Sequence, residues 1–253
     1  MYDAGTRPTE FLREYTDEFC SVELDATVYG TPPPERVRKW AAQVPDGFTF
    51  AVKTPREITH ERRLLESRTL FDAFVASVLE FGDKLEAILV QLPPDFVPAE
   101  IDAVEAFVCA LPAGPRYALE VRHRDWFHGT AHGRLRDALG THGVALAVTD
   151  GPFVPLEAML HELYRPTASH AYLRWLGIRG SIPRYDATVI DRSDELARWA
   201  EAIRGAAPEL SRLAGYANNE YAGHAPETVR RMLAALGIAH ERPARIEQPS
   251  LFE

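Results

Sequence analysis

Charged side chains recur near the ends of several short, largely apolar segments of the sequence. Glu23 and Glu120 alternate with apolar neighbours in VELDAT and YALEVR, and Lys53 takes the same place in FTFAVKT. Paired carboxylates can act as general acid and base, and a lysine beside them can fix an anionic group of the substrate at the same site. We therefore expect Glu23, Glu120 and Lys53 to be catalytic residues.

A second set of polar side chains, near the same segment ends, is suited to holding a substrate. Its members are Arg122, His123, Arg174, Gln91, Asn218, Asn219 and Tyr221. Arginine matches the geometry of phosphate and carboxylate groups, so we expect a phosphorylated or sugar-like substrate. The two carboxylates could instead hold a divalent metal with amide oxygens and water, and the sequence leaves the cofactor open. The structural alternative is that the basic residues only neutralise the acidic ones inside a polar core.

The segments that carry these residues read as strands alternating with helices. The predicted strands are 21–27, 48–54, 87–92, 117–122, 144–150, 171–177 and 211–219. Such alternation predicts a parallel sheet covered by helices. One face of each strand is bulky and apolar, whereas the other carries a charged or amide group near the carboxyl end. Strands of a doubly wound sheet are apolar on both faces, so the pattern favours an α/β fold of the TIM-like barrel type, with its site at the carboxyl ends.

Composition restricts the class of protein further. The chain has 253 residues, 46% hydrophobic and 26% charged, with a net charge of -9. These values are typical of a folded globular protein, and the acidic balance disfavours non-specific coating of nucleic acid. No apolar run is long enough for a membrane span and the first residues lack a signal-peptide core, so we expect a soluble, cytoplasmic protein. Cys20 and Cys109 stand among apolar residues and are expected to be reduced and buried.

Five stretches of the sequence resemble a known signature when they are taken together and in order. They are VELDATVYGTPPPERVRKWAAQVPDGFTFAVKTPREITHERRL, ILVQLPPDF, LEVRHRDWF, GVALAVTD and GYANNEYAGHAP. This combination resembles the YecE-like family, domain of unknown function 72, over nearly the whole chain. The resemblance implies a TIM-like barrel, which we place in residues 1–240 as a single domain. It implies no particular reaction.

The sequence departs from that family pattern in two places. Family members usually begin with a strand resembling IGTSGW, and residues 2–5 of this chain align just after it. We therefore expect the first strand to be missing from this chain. We also expect it to be encoded upstream in frame. If it is natively absent, the exposed edge must be covered or paired with a second copy. Residues 174–177 read RWLG where relatives often read RLHG. A mechanism that used that histidine does not carry over to this chain.

The last residues suggest a macromolecular partner. Residues 241–253 are rich in proline and charge, and we predict a flexible C-terminal tail. Gln248, Leu251 and Phe252 resemble the short peptide by which bacterial DNA-processing proteins hold the replication sliding clamp, in which glutamine donates hydrogen bonds and Leu-Phe fills an apolar pocket. The competing expectation is that this tail folds back over the open strand edge.

These observations leave two functions open. The first is a hydrolase or isomerase that acts on a phosphorylated or sugar-like substrate at the carboxyl end of the strands. The alternative is a non-catalytic protein that binds an anion or a nucleic-acid end and has a DNA-maintenance role, recruited through the clamp-like peptide. The fold cannot separate them, because barrels host many chemistries.

Overall fold

The computed structural model describes residues 11–239, so the predictions made for residues 1–10 and 240–253, including the clamp-like peptide, lie outside the described part. Strands and helices alternate along the chain. The strands are β1 (Ser21–Leu24), β2 (Thr49–Lys53), β3 (Leu85–Gln91), β4 (Tyr117–Glu120), β5 (Ala145–Leu146), β6 (Val148–Asp150), β7 (His170–Trp175) and β8 (Arg212–Ala217). The helices are α1 (Phe11–Thr16), α2 (Pro34–Ala42), α3 (Arg68–Val78), α4 (Ile101–Cys109), α5 (Gly129–Thr141), α6 (Leu156–Leu163), α7 (Ser193–Ala206), α8 (Asn219–Ala222) and α9 (Ala225–Leu236).

The strands form two parallel sheets. One contains β1 to β5 in chain order, and the other contains β6, β7 and β8. The predicted fifth strand is divided between the sheets, because β5 pairs with β4 whereas β6 pairs with β7. Ala147 stands between them and donates its backbone N–H to the carbonyl of Leu119 at 2.9 Å. The chain therefore passes from one sheet to the other within a single residue.

The two faces of the strands have different surroundings, as the alternation in the sequence predicts. The bulky apolar residues, such as Phe50, Val52 and Ile88, pack in a large core with the helices. The opposite faces of both sheets meet in a second cluster, which contains Ala51, Ala87, Leu89, Ala118, Ala145, Ala147, Tyr172 and Tyr216. The division of each strand into an apolar face and a mixed face is therefore confirmed. Within residues 11–239, β1 and β8 are not hydrogen-bonded to each other through their backbones, and closure into a barrel stays a prediction.

Several element boundaries differ from the sequence prediction; for example, β3 begins two residues earlier, and β4, β7 and β8 each end two residues earlier. β1 ends at Leu24 rather than at residue 27, because Asp25–Tyr29 form a 3-10 turn. The hydroxyl of Thr27 holds this turn against β2, since it donates to the carbonyl of Lys53 at 2.7 Å and accepts from the N–H of Lys53 at 3.0 Å. Helix α6 lies between β6 and β7, in a stretch to which the sequence prediction assigns no strand. Pro155 immediately precedes this helix, whose buried residues are Met159, Leu160, Glu162 and Leu163.

The prediction that both cysteines are buried is wrong, since Cys20 and Cys109 are exposed. Cys20 directly precedes β1, which is an edge strand among residues 11–239, and Cys109 ends α4 next to the buried Val108. No helix within residues 11–239 is long and apolar enough to cross a membrane.

Candidate functional site

An arginine links two carboxylates at the carboxyl ends of the strands. Arg174 on β7 donates from Nε and Nη2 to the two carboxylate oxygens of Glu23 on β1, at 2.9 and 2.5 Å. Its Nη1 donates to Oε2 of Glu120 on β4 at 2.7 Å. The side chain of Arg174 is only 6% exposed and that of Glu120 only 1%. These three residues form a buried charge cluster, which we call the Arg174 triad.

Glu120 also accepts hydrogen bonds on its second oxygen. Oε1 receives Nε2 of Gln91 at 2.9 Å and Nε of Arg122 at 2.7 Å. Burial by itself would raise the pKa of Glu120, but the charges of Arg174 and Arg122, with the hydrogen bonds from Arg122 and Gln91, lower it to about 2. Glu120 is therefore ionised at neutral pH and has no proton to donate.

Glu23 is held from a third direction by a tyrosine. The hydroxyl of Tyr172 donates to Oε2 of Glu23 at 2.6 Å. Burial, followed by the negative charge of Glu23, raises the pKa of Tyr172 well above its ordinary value, so this hydroxyl keeps its proton. Tyr172 is not among the site residues expected from the sequence. Its position two residues before Arg174, which places both on one strand face, was the signal that could have found it.

Lys53 ends β2 beside the Arg174 triad, and its ammonium group is less tightly held. Nζ lies 3.7 Å from the exposed carboxylate of Asp25, and within residues 11–239 it donates no hydrogen bond. Burial and then the charge of Arg174 lower the pKa of Lys53, whereas Asp25, Glu23 and Glu120 oppose that shift. A lysine in this environment loses its proton more readily than a surface lysine.

Arg122 and His60 stand next to Lys53. The guanidinium of Arg122 lies 5.1 Å from the centre of the Phe153 ring, and within the described residues its two Nη atoms donate no hydrogen bond. His60 lies in a π-helical turn after β2, and its Nδ1 is 2.8 Å from the hydroxyl of Thr59. Burial, then the charges of Arg56, Arg122 and Lys53, lower the pKa of His60 to about 4, so the ring is neutral at neutral pH.

The two asparagines selected from the sequence have local structural roles. Oδ1 of Asn218 accepts the N–H of Tyr221 at 3.1 Å and that of Gly177 at 3.3 Å. Oδ1 of Asn219 accepts the N–H of Ala225 at 2.8 Å. These bonds hold the starts of α8 and α9, as asparagine does at many helix N-termini. Both residues also line a groove beside Glu23, so they border the site without joining the Arg174 triad.

Tyr221 and His123 also lie apart from the Arg174 triad. Tyr221 is fully buried and donates its hydroxyl to Oδ2 of Asp150 at 2.7 Å, so its ring packs in the core. Nδ1 of His123 accepts the N–H of Asp125 at 3.3 Å, next to the segment that carries Arg122. Only His123 of this pair is accessible to a ligand.

The side chains at this site do not fit the divalent metal that the sequence left open. The oxygens of Glu23 and Glu120 already accept hydrogen bonds from guanidinium and other donors. Among residues 11–239, no three His, Cys, Asp or Glu side chains come together as a possible metal site. A cation placed there would have to displace Arg174, so we derive no chemistry from a metal.

Similar proteins were found by sequence and by structure. UPF0759 protein YecE of Escherichia coli is 29% identical over 187 residues, which are 66% of this chain and 66% of that protein. UPF0759 protein YunF of Bacillus subtilis is 25% identical over 258 residues, covering 95% of this chain and 91% of that one. A crystal structure of a DUF72 family protein from Enterococcus faecalis gives a TM-score of 0.74 at 21% identity and covers 93% of this chain and 92% of its own. One from Thermotoga maritima gives 0.69 at 23% identity, covering 90% and 88%.

The solved structures show that the fold is that of DUF72 proteins, an α/β fold with parallel sheets. The family model described as "Protein of unknown function DUF72" matches residues 1–251, in agreement with the resemblance read from the sequence motifs. The chain therefore belongs to the DUF72 family.

Proposed function

We propose that the two sheets form the wall of a TIM-like barrel, and that its mouth is an enzyme site for a small phosphorylated or sugar-like substrate. The observation that carries this proposal is the contrast between the Arg174 triad, whose charges are mutually paired, and Lys53 and Arg122 beside it. Nζ of Lys53 and the Nη atoms of Arg122 have no hydrogen-bond acceptor within residues 11–239. Two such cationic groups at the carboxyl ends of strands suit an anionic ligand.

The roles of the residues follow from their environments. Arg122 binds the anionic group of the substrate, because a guanidinium offers a planar pair of donors and stays charged. Lys53 transfers the proton, because its lowered pKa gives it a larger neutral fraction near pH 7. Glu23 and Glu120, which the sequence suggested as acid and base, instead position Arg174 and Arg122. This arrangement favours the isomerase type of reaction, in which a proton leaves substrate carbon and the electron pair stays on the substrate.

The experiment measures binding and proton transfer separately. Phosphate and a panel of sugar phosphates are titrated by calorimetry, and exchange of substrate carbon-bound protons in D₂O is followed by NMR. Arg122→Gln should weaken anion binding by about tenfold or more, as the loss of a charged hydrogen bond requires, whereas Arg124→Gln on the neighbouring exposed turn should not. Lys53→Met should abolish exchange and weaken anion binding less than Arg122→Gln does, and Lys39→Met is the matched control. If the panel shows neither binding nor exchange, the proposal is wrong.

The second candidate function is anion binding without catalysis. It is favoured by the hydrogen bonds that Glu23 and Glu120 accept from Arg174. Of the three residues expected to be catalytic, only Lys53 is then suited to proton transfer. Binding that depends on Arg122, together with no exchange for any tested compound, would select this candidate.

A further inference from the structure

A cavity borders the candidate site on the side of Arg122, at the carboxyl end of β6. Its volume of about 480 Å³ lies within the range of roughly 300–1,000 Å³ typical of small-ligand pockets. It is enclosed by residues 151–155, which follow β6, and by the start of α7. We call it the β6–α7 cavity. Three side chains on its wall, those of Asp150, Phe153 and Arg192, differ in chemistry and can each contact a ligand.

The phenyl ring of Phe153 joins this cavity to the candidate site. The guanidinium of Arg122 lies 5.1 Å from the centre of the ring, and the same side chain lines the cavity. Phe153 is 41% exposed, whereas the adjacent Val154 is buried. Pro152 and Pro155 restrict the backbone on either side of this pair, so the exposed ring is held in a defined position. An aromatic ring that is already fixed loses little entropy when a ligand packs on it.

Asp150, the last residue of β6, brings a hydrogen-bond acceptor to the cavity. Its Oδ2 accepts from Nε1 of Trp199 at 2.9 Å and from the hydroxyl of Tyr221 at 2.7 Å. These two donors fix the orientation of the carboxylate. Its Oδ1 accepts no hydrogen bond from any residue between 11 and 239. Because Asp150 lines the cavity, Oδ1 is an acceptor that a ligand can use.

Arg192 brings a hydrogen-bond donor to the same cavity. Its Nε donates to the carbonyl of Tyr221 at 3.2 Å and its Nη1 to Glu195 at 3.0 Å, whereas Nη2 donates no hydrogen bond within the described residues. The guanidinium lies 5.0 Å from the centre of the Tyr221 ring. Since the hydroxyl of Tyr221 donates to Asp150, this one buried tyrosine holds both polar side chains. The cavity thus combines a fixed acceptor, a fixed donor and an aromatic ring.

This combination suits a sugar ring better than a second anionic group. A hydroxyl group both donates and accepts hydrogen bonds, so neighbouring hydroxyls can bond to a carboxylate oxygen and to a guanidinium together. The C–H face of a sugar ring is apolar and packs on an aromatic side chain. A second phosphate would instead meet the carboxylates of Asp150 and Glu195, which both line the cavity, and like charges repel.

We propose that the β6–α7 cavity binds the sugar ring of a ligand whose anionic group is bound by Arg122. Asp150 accepts hydrogen bonds from ring hydroxyls, Arg192 donates to them, and Phe153 packs against the C–H face. The contact between Arg122 and the Phe153 ring lets one small molecule reach both places. The proposal rests on the function proposed above for the anionic group, and it narrows the substrate class from phosphorylated or sugar-like compounds to sugar phosphates.

Calorimetry tests the proposal by comparing inorganic phosphate with the hexose phosphates glucose-6-phosphate, mannose-6-phosphate and fructose-6-phosphate. At least one hexose phosphate should bind about tenfold more tightly than inorganic phosphate, as one or two additional hydrogen bonds imply. Phe153→Ala and Asp150→Asn should each remove this difference. Asp150→Asn should leave the affinity for inorganic phosphate almost unchanged, because an amide can still accept from Trp199 and Tyr221 while it offers the cavity a donor in place of an acceptor. Tyr164→Ala, which removes an exposed aromatic ring after α6, is the matched control and should keep the difference.

Neutral sugars separate this proposal from the function on which it rests. Methyl glucoside and methyl mannoside carry no anionic group, so they probe the cavity without Arg122 and need no substitution in the protein. In the ¹⁵N-labelled full chain, millimolar concentrations of at least one should shift the indole N–H signal of Trp199, which donates to Asp150, and not that of Trp40 in α2.

Each outcome bears on one of the two proposals. If inorganic phosphate does not bind but the Trp199 signal shifts, the role given to Arg122 is wrong and the sugar site stands. A Trp199 signal that responds to neither neutral sugar overturns the sugar site, even if every variant fails to fold. Binding of inorganic phosphate that no hexose phosphate exceeds overturns it as well. The same conclusion follows if the tighter binding of a hexose phosphate persists in folded Phe153→Ala and Asp150→Asn.

Discussion

Arg174 on β7 donates a hydrogen bond of 2.7 Å to Glu120 on β4, so one buried ion pair joins the three-stranded sheet to the five-stranded sheet. The same guanidinium reaches Glu23 on β1. Removing these charges from water is costly, and their mutual attraction offsets the cost only when every partner is in place. The Arg174 triad therefore fixes how the carboxyl ends of β1, β4 and β7 lie relative to one another.

The first prediction concerns the stability that depends on this arginine. Arg174→Met leaves Glu23 and Glu120 buried without their cation and should lower the free energy of unfolding by about 3–5 kcal/mol. Urea denaturation followed by circular dichroism measures the change. Arg198→Met, which removes an exposed ion pair with Glu157, is the matched control and should leave the midpoint almost unchanged. Equal effects of the two substitutions would contradict the role given to the Arg174 triad.

The second prediction is that stability falls with acidification in two windows. His60 has a folded pKa of about 4 against an ordinary 6.5, and Glu120 has about 2 against 4.5. In both cases the unfolded chain binds the proton first, so stability falls as pH decreases from 6.5 to 4 and again from 4.5 to 2. Denaturation at a series of pH values should show that His60→Gln flattens only the first window and Glu120→Gln only the second. A slope unchanged by either variant would be inconsistent with these environments.

The placement of the charged residues could be predicted because alternation along a strand is a local property. Glu23, Lys53, Gln91 and Glu120 each stand on the face opposite the bulky apolar residues of their own strand, so one sequence segment at a time was enough. Arg174 was assigned to the same end on the same grounds. Parallel strands then bring these ends together.

The pairing among these charges could not be predicted, because it depends on which strands face each other. Gln91 and Glu120 are register partners on adjacent strands, but Arg174 reaches Glu23 and Glu120 across the space between the sheets. No pattern within AYLRWL indicates that partner. The use of Asn218 at a helix start was missed for a different reason, since a polar residue after a strand serves equally as a ligand or as a cap.

The third prediction concerns the proton affinity of Lys53. The chain contains three lysines, Lys39, Lys53 and Lys84, so reductive ¹³C-methylation yields three lysine signals beside that of the α-amino group. The signal of Lys53 should titrate at a lower pH than that of the exposed Lys39, because burial and Arg174 disfavour its charged form. Phosphate should raise the pKa of Lys53 and leave Lys39 unaffected, since a bound anion stabilises the ammonium. Coincident titrations would remove the basis for Lys53 as the proton-transfer group.

The last prediction separates the two fates of the C-terminal residues. A peptide of residues 245–253 should bind the sliding clamp with micromolar affinity, about 8 kcal/mol, if Gln248, Leu251 and Phe252 form a clamp motif. The full chain should bind about tenfold or more weakly if the tail folds back, because only the released fraction can then bind. Leu251→Ala with Phe252→Ala should abolish binding at an unchanged melting temperature. Peptide and full chain of equal affinity would mean that the segment is free, and a peptide that does not bind would end the clamp interpretation.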